Sequence, residues 1–222
     1  MIEGVIFDLD GTLVDSEPLW QEAEINIFRE QGLELSREDC NKTKGLPSQE
    51  AIRYWHTRLE NPTKEVALLT QELNQSVINL LRDKGELKPG TTEILDFVKS
   101  KNLPMGIASA SSMAHIKTVI DKFELNNYFS LIYSGDFERF GKPHPGVYIS
   151  ACKKLKIDPT RSVAIEDSFN GLLAAKSARM KAVALLDEGQ IDETIYNFAD
   201  LKIESLSNFG PADFEFLQSL LK

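Results

Sequence analysis

Residues 5–12 read Val5-Ile6-Phe7-Asp8-Leu9-Asp10-Gly11-Thr12. A short β-branched and aromatic run enters a glycine-bearing turn, the pattern of a strand leading into a loop. Side chains alternate along a strand, so Asp8 and Asp10 share one side and Leu9 takes the other. Two carboxylates converging at a strand end are costly unless a cation or a proton holds them together. The stretch therefore marks a working site as well as the first strand of a sheet.

Four further apolar runs resemble Val5–Phe7: Met105-Gly106-Ile107-Ala108, Leu131-Ile132-Tyr133, Val163-Ala164-Ile165 and Ala182-Val183-Ala184-Leu185-Leu186. Each is apolar throughout, as expected of parallel strands covered on both faces. Helical spacing separates them, in Ile94, Leu95 and Val98, in Ile116, Val119, Ile120 and Phe123, in Val147, Ala151 and Leu155, and in Leu172, Ala175 and Ala178. This alternation predicts an α/β fold, a doubly wound parallel sheet.

Residues 15–86 break the rhythm. Leu19, Ala23 and Ile27 recur every four residues, as do Ala51, Trp55 and Leu59, and Val66, Leu69, Leu73, Val77 and Leu80 form a third stripe. These patterns predict helices and no strand. The division is therefore 1–14 as the first piece of the core, 15–86 as an inserted all-helical cap, and 87–222 as the rest of the core. An insert leaving the chain just after the Asp pair emerges at the rim of the site, which favours a lid over a purely stabilising subdomain.

Composition narrows the partners. The 222 residues are 42% hydrophobic and 27% charged, enough for a sizeable core, and the formal net charge is -9. Such a balance disfavours nucleic acid, which is bound by basic faces. An anionic substrate would need a locally positive site. The two cysteines, Cys40 and Cys152, have no metal spacing and are expected as buried free thiols of a reducing compartment. No basic stretch leads into an apolar one at the start of the chain, and no apolar run approaches the roughly 20 residues of a membrane span. The expectation is a cytoplasmic protein, without a membrane partner and monomeric.

Ligands of an open parallel sheet bind outside the carboxyl ends of its strands, where the remaining chemical groups also fall. Ser109-Ala110-Ser111 follows the second strand. Its hydroxyl and backbone N–H groups suit a phosphoryl oxygen, and a Ser before a helix equally suits an N-cap. Lys142, in Gly141-Lys142-Pro143-His144-Pro145, is either a cation held by a proline-stiffened loop or a solvated surface lysine. His144 is read as packing in that loop. Glu166-Asp167 closes the fourth strand; alternation lets only one of the two face Asp8 directly and leaves the other to reach through water. Several carboxylates with oxygen-only surroundings suit Mg²⁺, whereas Glu-Asp alone reads as a helix start with Asp167 or Ser168 as cap.

Together, Asp8-Leu9-Asp10-Gly11-Thr12, Ser109, Lys142 and Glu166-Asp167 resemble the four motifs of the haloacid dehalogenase-like phosphohydrolases. The helical insert, with Asp15-Ser16-Glu17-Pro18-Leu19-Trp20 and Glu166-Asp167-Ser168-Phe169-Asn170-Gly171, resembles the β-phosphoglucomutase-like subfamily. Within it the chain is most similar to sugar-phosphate phosphatases such as the bacterial 2-deoxyglucose-6-phosphate and hexitol-phosphate phosphatases. The resemblance implies an Mg²⁺-dependent phosphoric monoester hydrolase acting on small sugar or polyol monophosphates. It makes Asp8 the nucleophile that forms an aspartyl-phosphate and Asp10 the general acid/base. Ser109, Ala110 and Lys142 would hold phosphoryl oxygens. The metal would be held by Asp8, Asp167, the Asp10 carbonyl and Glu166, the last directly or through water. Substrate specificity is expected in the cap, at Glu17, Trp20, Lys44, Gly45 and Leu46.

The nearest rival within that resemblance is a β-phosphoglucomutase-type mutase. Such mutases have a His at the place of Trp20 and a cap-loop Arg near Ser48, so a second phosphate lacks its cation here, although Lys44-Gly45 fits the mutase pattern. A non-enzymatic phosphoacceptor domain would need neither the insert nor Asp10, and a dehalogenase needs no second Asp. Arg179 stands where relatives often have Gly, which implies an altered helix ending.

Overall fold

The computed structural model describes residues 1–187 and 189–221. Its sheet has six strands, β1 (Gly4–Phe7), β2 (Met105–Ser109), β3 (Leu131–Ser134), β4 (Ser162–Glu166), β5 (Lys181–Leu185) and β6 (Leu201–Ile203), in the order β3-β2-β1-β4-β5-β6. Every neighbouring pair is parallel. The first five coincide with the apolar runs. β6 was not expected from the sequence: three residues with a Lys at the centre carry no apolar run, and the strand exists because β5 offers it an edge.

Helices α1 (Glu17–Glu30), α2 (Arg37–Cys40), α3 (Ser48–His56) and α4 (Val66–Lys84) follow β1, and no strand lies among them. Around the sheet lie α5 (Thr91–Ser100), α6 (Met113–Lys122), α7 (Gly146–Leu155), α8 (Phe169–Ser177) and α9 (Pro211–Ser219). Alternation in the strands feeds two cores. Val5, Phe7, Val163, Ile165 and Val183 face one apolar cluster, which continues into Leu19, Phe28, Ile52 and Leu73 of the helical segment. Ile6, Ala164, Ala182 and Ala184 face another, rich in alanine, that lets α7 and α8 approach closely. The chain leaves and re-enters the sheet layer side by side: Asp15 N–H donates to Glu86 O (2.9 Å) and Lys88 N–H to Leu13 O (3.0 Å).

Strand alignment sets the site. Phe7 pairs with both Ile107 and Ile165, so β1, β2 and β4 end at one level and Asp8, Ser109 and Glu166 emerge beside one another. Cys40 and Cys152 are buried free thiols. No helix among the described residues is long and apolar enough to cross a membrane.

Helix α8 ends through Arg179, at φ +68°, with Met180 N–H donating to Ala175 O at 3.0 Å. A side chain in this left-handed conformation costs what glycine does not. Arg179→Gly is expected to stabilise the fold by about 1 kcal/mol, a rise of about 2–4 °C in Tm by calorimetry. An unchanged or lower Tm would show that the Arg side chain offsets its backbone strain.

Candidate active site

Asp8 continues β1, its N–H donating to Ile165 O at 2.9 Å. Its carboxylate is buried and meets the ammonium of Lys142 at 2.5 Å, and the same ammonium lies 2.5 Å from Glu166. The Lys142 side chain is only 7% exposed, which excludes the solvated-lysine reading. Burial opposes its charge, but Asp8 and Glu166 outweigh burial and hold its pKa well above the ordinary lysine value. Tyr148 Oη donates to Glu166 (3.1 Å), and the backbone N–H and hydroxyl of Ser168 hold its other oxygen at 2.9 Å each.

Carboxylate oxygens of Asp8, Glu166 and Asp167 lie within 4.8 Å of one another. The expectation that only one of Glu166 and Asp167 faces Asp8 is therefore corrected. β4 ends at Glu166, so strand alternation no longer governs Asp167. Thr12 Oγ1 holds Asp167 at 3.0 Å. Two glycines make room for this cluster. A Cβ on Gly171 would stand 1.7 Å from a Glu166 oxygen, and one on Gly11, at φ +80°, 2.2 Å from an Asp167 oxygen. Ser168, not Asp167, caps α8, its hydroxyl accepting from Gly171 N–H. Burial, then Glu166 and its other acidic neighbours, push Asp8 well above the usual carboxylate range against the opposing pull of Lys142. Burial and Glu166 push Asp167 up to about 7. Three carboxylates against one lysine leave an excess of negative charge, and the donors are all hard oxygen. That set fits a divalent cation. The side chain of Asp10 is outside the cluster; its expected part was a backbone carbonyl.

Asp10 has a different set of partners. Ser16 Oγ (2.7 Å), His115 Nε2 (2.8 Å) and Trp20 Nε1 (3.4 Å) converge on one oxygen, and Ser111 Oγ (2.6 Å) and Ser109 Oγ (3.5 Å) on the other. Burial alone would raise its pKa, but the His115 imidazole, with hydrogen bonds from His115, Ser111 and Ser16, holds it well below the ordinary value. Ser109 ends β2 and is no helix cap; its Oγ accepts from Ser111 N–H at 3.0 Å, and Ser112 caps α6. His144 accepts from Gly146 N–H (3.1 Å) and packs on Phe140, away from the aspartates.

Asp8, Asp10, Ser109, Lys142, Glu166 and Asp167 open onto one cavity of about 430 Å³, which Ala110 also lines. From the helical segment, Glu17, Trp20, Lys44, Gly45 and Leu46 line its other side, joined by Gln21, Glu24 and Asn74. Burial raises the pKa of Glu17, against the pull of Lys44.

A sequence profile described as "Haloacid dehalogenase-like hydrolase" matches residues 5–185. The chain belongs to the haloacid dehalogenase-like hydrolases. It is 33% identical over 215 residues to hexitol phosphatase B of Escherichia coli K12, covering 96% of each chain. It is 31% identical to a phosphorylated carbohydrates phosphatase of Thermotoga maritima, over 82% of this chain and 84% of the relative. Its fold superposes with a TM-score of 0.86 on the crystal structure of CbbY from Rhodobacter sphaeroides in complex with phosphate, at 26% identity and covering 98% and 99% of the two chains.

In this haloacid dehalogenase-like hydrolase, sequence reasoning missed the groups around the second aspartate. His115 is buried and stacked on Trp20, ring centroids 5.6 Å apart. Its position on the apolar stripe of α6, beside Ile116 and Val119, reads from sequence as core. The signal available was a lone histidine at the first turn of the helix that follows the Ser109 loop. Ser16 and Ser111 stood inside motifs already singled out. Tyr148 was hidden in an apolar run of α7.

Proposed function

We propose that this chain is an Mg²⁺-dependent phosphatase of small sugar or polyol monophosphates, acting through an aspartyl-phosphate on Asp8, with residues 15–86 as a cap over the site. The observation that carries this reading is the unequal environment of the two aspartates. Asp8 lies beside the buried ammonium of Lys142 and inside the acidic cluster, whereas Asp10 is gripped by hydroxyls, an indole and an imidazole. Asp8 is thus suited to attack phosphorus while Lys142 and Ser109 hold phosphoryl oxygens. Asp10 serves the protons, first to the departing alkoxide and then from the attacking water. Its depressed pKa favours the ionised state that takes a proton from water; for the first step it must hold a proton, which a monoanionic phosphate ester can carry in. Asp8, Asp167 and Glu166 would hold the metal, together with the Asp10 carbonyl. Held there, an ion would supply positive charge to offset the negative charge on the group in transfer.

The substrate class rests on the relatives' names and on the cavity wall. Lys44 is the sole cation among the helical-segment residues that line the cavity, which suits one phosphate and a neutral body.

The test is release of inorganic phosphate from a panel of sugar and polyol monophosphates. Release with Mg²⁺ and its loss on chelation is expected. Conversion of β-glucose 1-phosphate to glucose 6-phosphate, with a trace of glucose 1,6-bisphosphate and little free phosphate, would favour a mutase instead. Metal binding has a second readout. Asp167 binds its proton more tightly in the fold, at about 7, than in the unfolded chain at about 3.9. Its contribution to stability is therefore full in acid and is lost as pH rises across that window. A cation replaces the proton, so Mg²⁺ should raise Tm at pH 8 more than at pH 5. A Tm indifferent to Mg²⁺ at pH 8 would contradict the metal assignment.

A further inference from the structure

The cavity continues beyond the aspartates into the helical segment, where Glu17, Gln21 and Glu24 follow one another at helical spacing along α1. Trp20, on the same face, reaches Asp10 at 3.4 Å. Glu24 stands roughly 6 Å further along the helix axis than Trp20, at the end remote from the reacting groups.

Glu24 is buried, and burial raises its pKa. Its flanking donors are neutral, the Cys40 thiol, the Thr43 hydroxyl and the Trp55 indole, and among the described residues no lysine or arginine forms an ion pair with it. The Thr43 hydroxyl is 3.1 Å from both carboxylate oxygens, and also 2.9 Å from Cys40 O. The Thr43 proton is thus shared among three acceptors, and the weak thiol donor and the indole, which lies 3.4 Å from Thr43 Oγ1, add little toward the roughly four acceptor positions of a carboxylate. A buried carboxylate so thinly supplied is costly unless something else donates to it. The wall of a cavity is where a ligand can do so. Lys44, the neighbouring cation, acts on Glu17 and Asp167 instead, at the aspartate end.

We propose that Glu24 reads the substrate's far end: it accepts a hydrogen bond from a hydroxyl remote from the phosphate, and its uncompensated charge repels a second phosphate at that place. This deepens the phosphatase reading above and rests on it. It commits the substrate to a polyhydroxylated chain long enough to span from Asp8 to Glu24, with one phosphate only.

The experiment compares kcat/KM for a six-carbon polyol 6-phosphate with that for its analogue lacking the hydroxyl farthest from the phosphate. The full-length protein is expected to prefer the hydroxylated compound by about tenfold to a hundredfold, the worth of a hydrogen bond to a buried charged group. In Glu24→Gln the preference should shrink to about twofold or less, and relative turnover of the 1,6-bisphosphate should rise. A Glu24 that merely braces Thr43 would change Tm and leave the ratio between substrates as it was. No preference in the natural protein, or an unchanged preference in Glu24→Gln, overturns the inference. If Glu24→Gln does not fold, Glu24→Asp, which keeps the charge and shortens the reach, must also narrow the preference, and the natural protein's own ratio still decides. Failure to release phosphate from any polyol phosphate would instead overturn the phosphatase reading.

Discussion

Asp8→Asn is expected to abolish phosphate release, by roughly four orders of magnitude or more, because the amide cannot form the acyl phosphate on which turnover depends. The fold should survive, since Lys142 keeps Glu166 as partner at 2.5 Å and the amide oxygen still faces the ammonium. Asp10→Asn should behave otherwise. The nucleophile and its lysine remain, so attack on an aryl phosphate, whose leaving group needs no proton, should persist, while alkyl phosphates are lost. With Asp10 unable to activate water, the phosphoenzyme should outlive its formation. Acid quenching after mixing with a radiolabelled aryl phosphate, followed by peptide mapping, measures this. Label is expected on the peptide bearing Asp8 in Asp10→Asn and nowhere in Asp8→Asn. Label on another residue would overturn the assignment of the nucleophile.

The sheet was legible because parallel strands buried on both faces need an unbroken apolar run, and five of the six contain one. The sixth, Leu201–Ile203, is three residues with a central Lys and depends on its neighbour for its pairing. Helix α9 went unread as well: Phe214 and Leu217 are its only buried residues, too few for a stripe. In the site, residues at strand ends announced themselves, since polar side chains directly after apolar runs have no structural excuse. Lys142 was ambiguous in sequence, because nothing local says that a loop lysine is buried; only the meeting of β1 and β4 supplies its two carboxylates. His115 was invisible for the opposite reason. It sits where a core residue should, and the carboxylate that makes it polar in purpose lies 105 positions away. Local sequence reports what a residue is beside in the chain, and both of these are defined by what they are beside in space.

Lys142→Met should have the largest effect on stability. The substitution keeps length and apolar stem but leaves Asp8 and Glu166 buried without their shared cation, and breaking a buried pair in this way costs about 3–5 kcal/mol. Domains of this kind have about 5–15 kcal/mol in hand, so the variant is expected to fold with a much reduced Tm. The loss should depend on pH with a definite sign. Once the ammonium is gone, Asp8, already raised by burial, loses the pull that opposed it and binds its proton still more tightly in the fold than in the unfolded chain, so the deficit is greatest at neutral and higher pH and shrinks as pH falls. Mg²⁺ should recover part of the Tm at pH 8, because a cation among Asp8, Glu166 and Asp167 compensates the same charge. It should not recover turnover, which is expected to remain about 10²–10³-fold down, since the ammonium is also the fixed donor toward charge developing on the phosphoryl oxygens. Calorimetry at pH 5 and pH 8, with and without Mg²⁺, measures the first effect, and aryl phosphate hydrolysis under the same conditions measures the second. A natural Tm at pH 8 without metal would mean that the two carboxylates do not need the lysine. Recovery of activity in step with Tm would mean that Lys142 acts only by holding Asp8 in place. Stability restored while turnover stays low would separate the two tasks of one side chain, compensating buried charge at rest and binding the phosphoryl group in transfer.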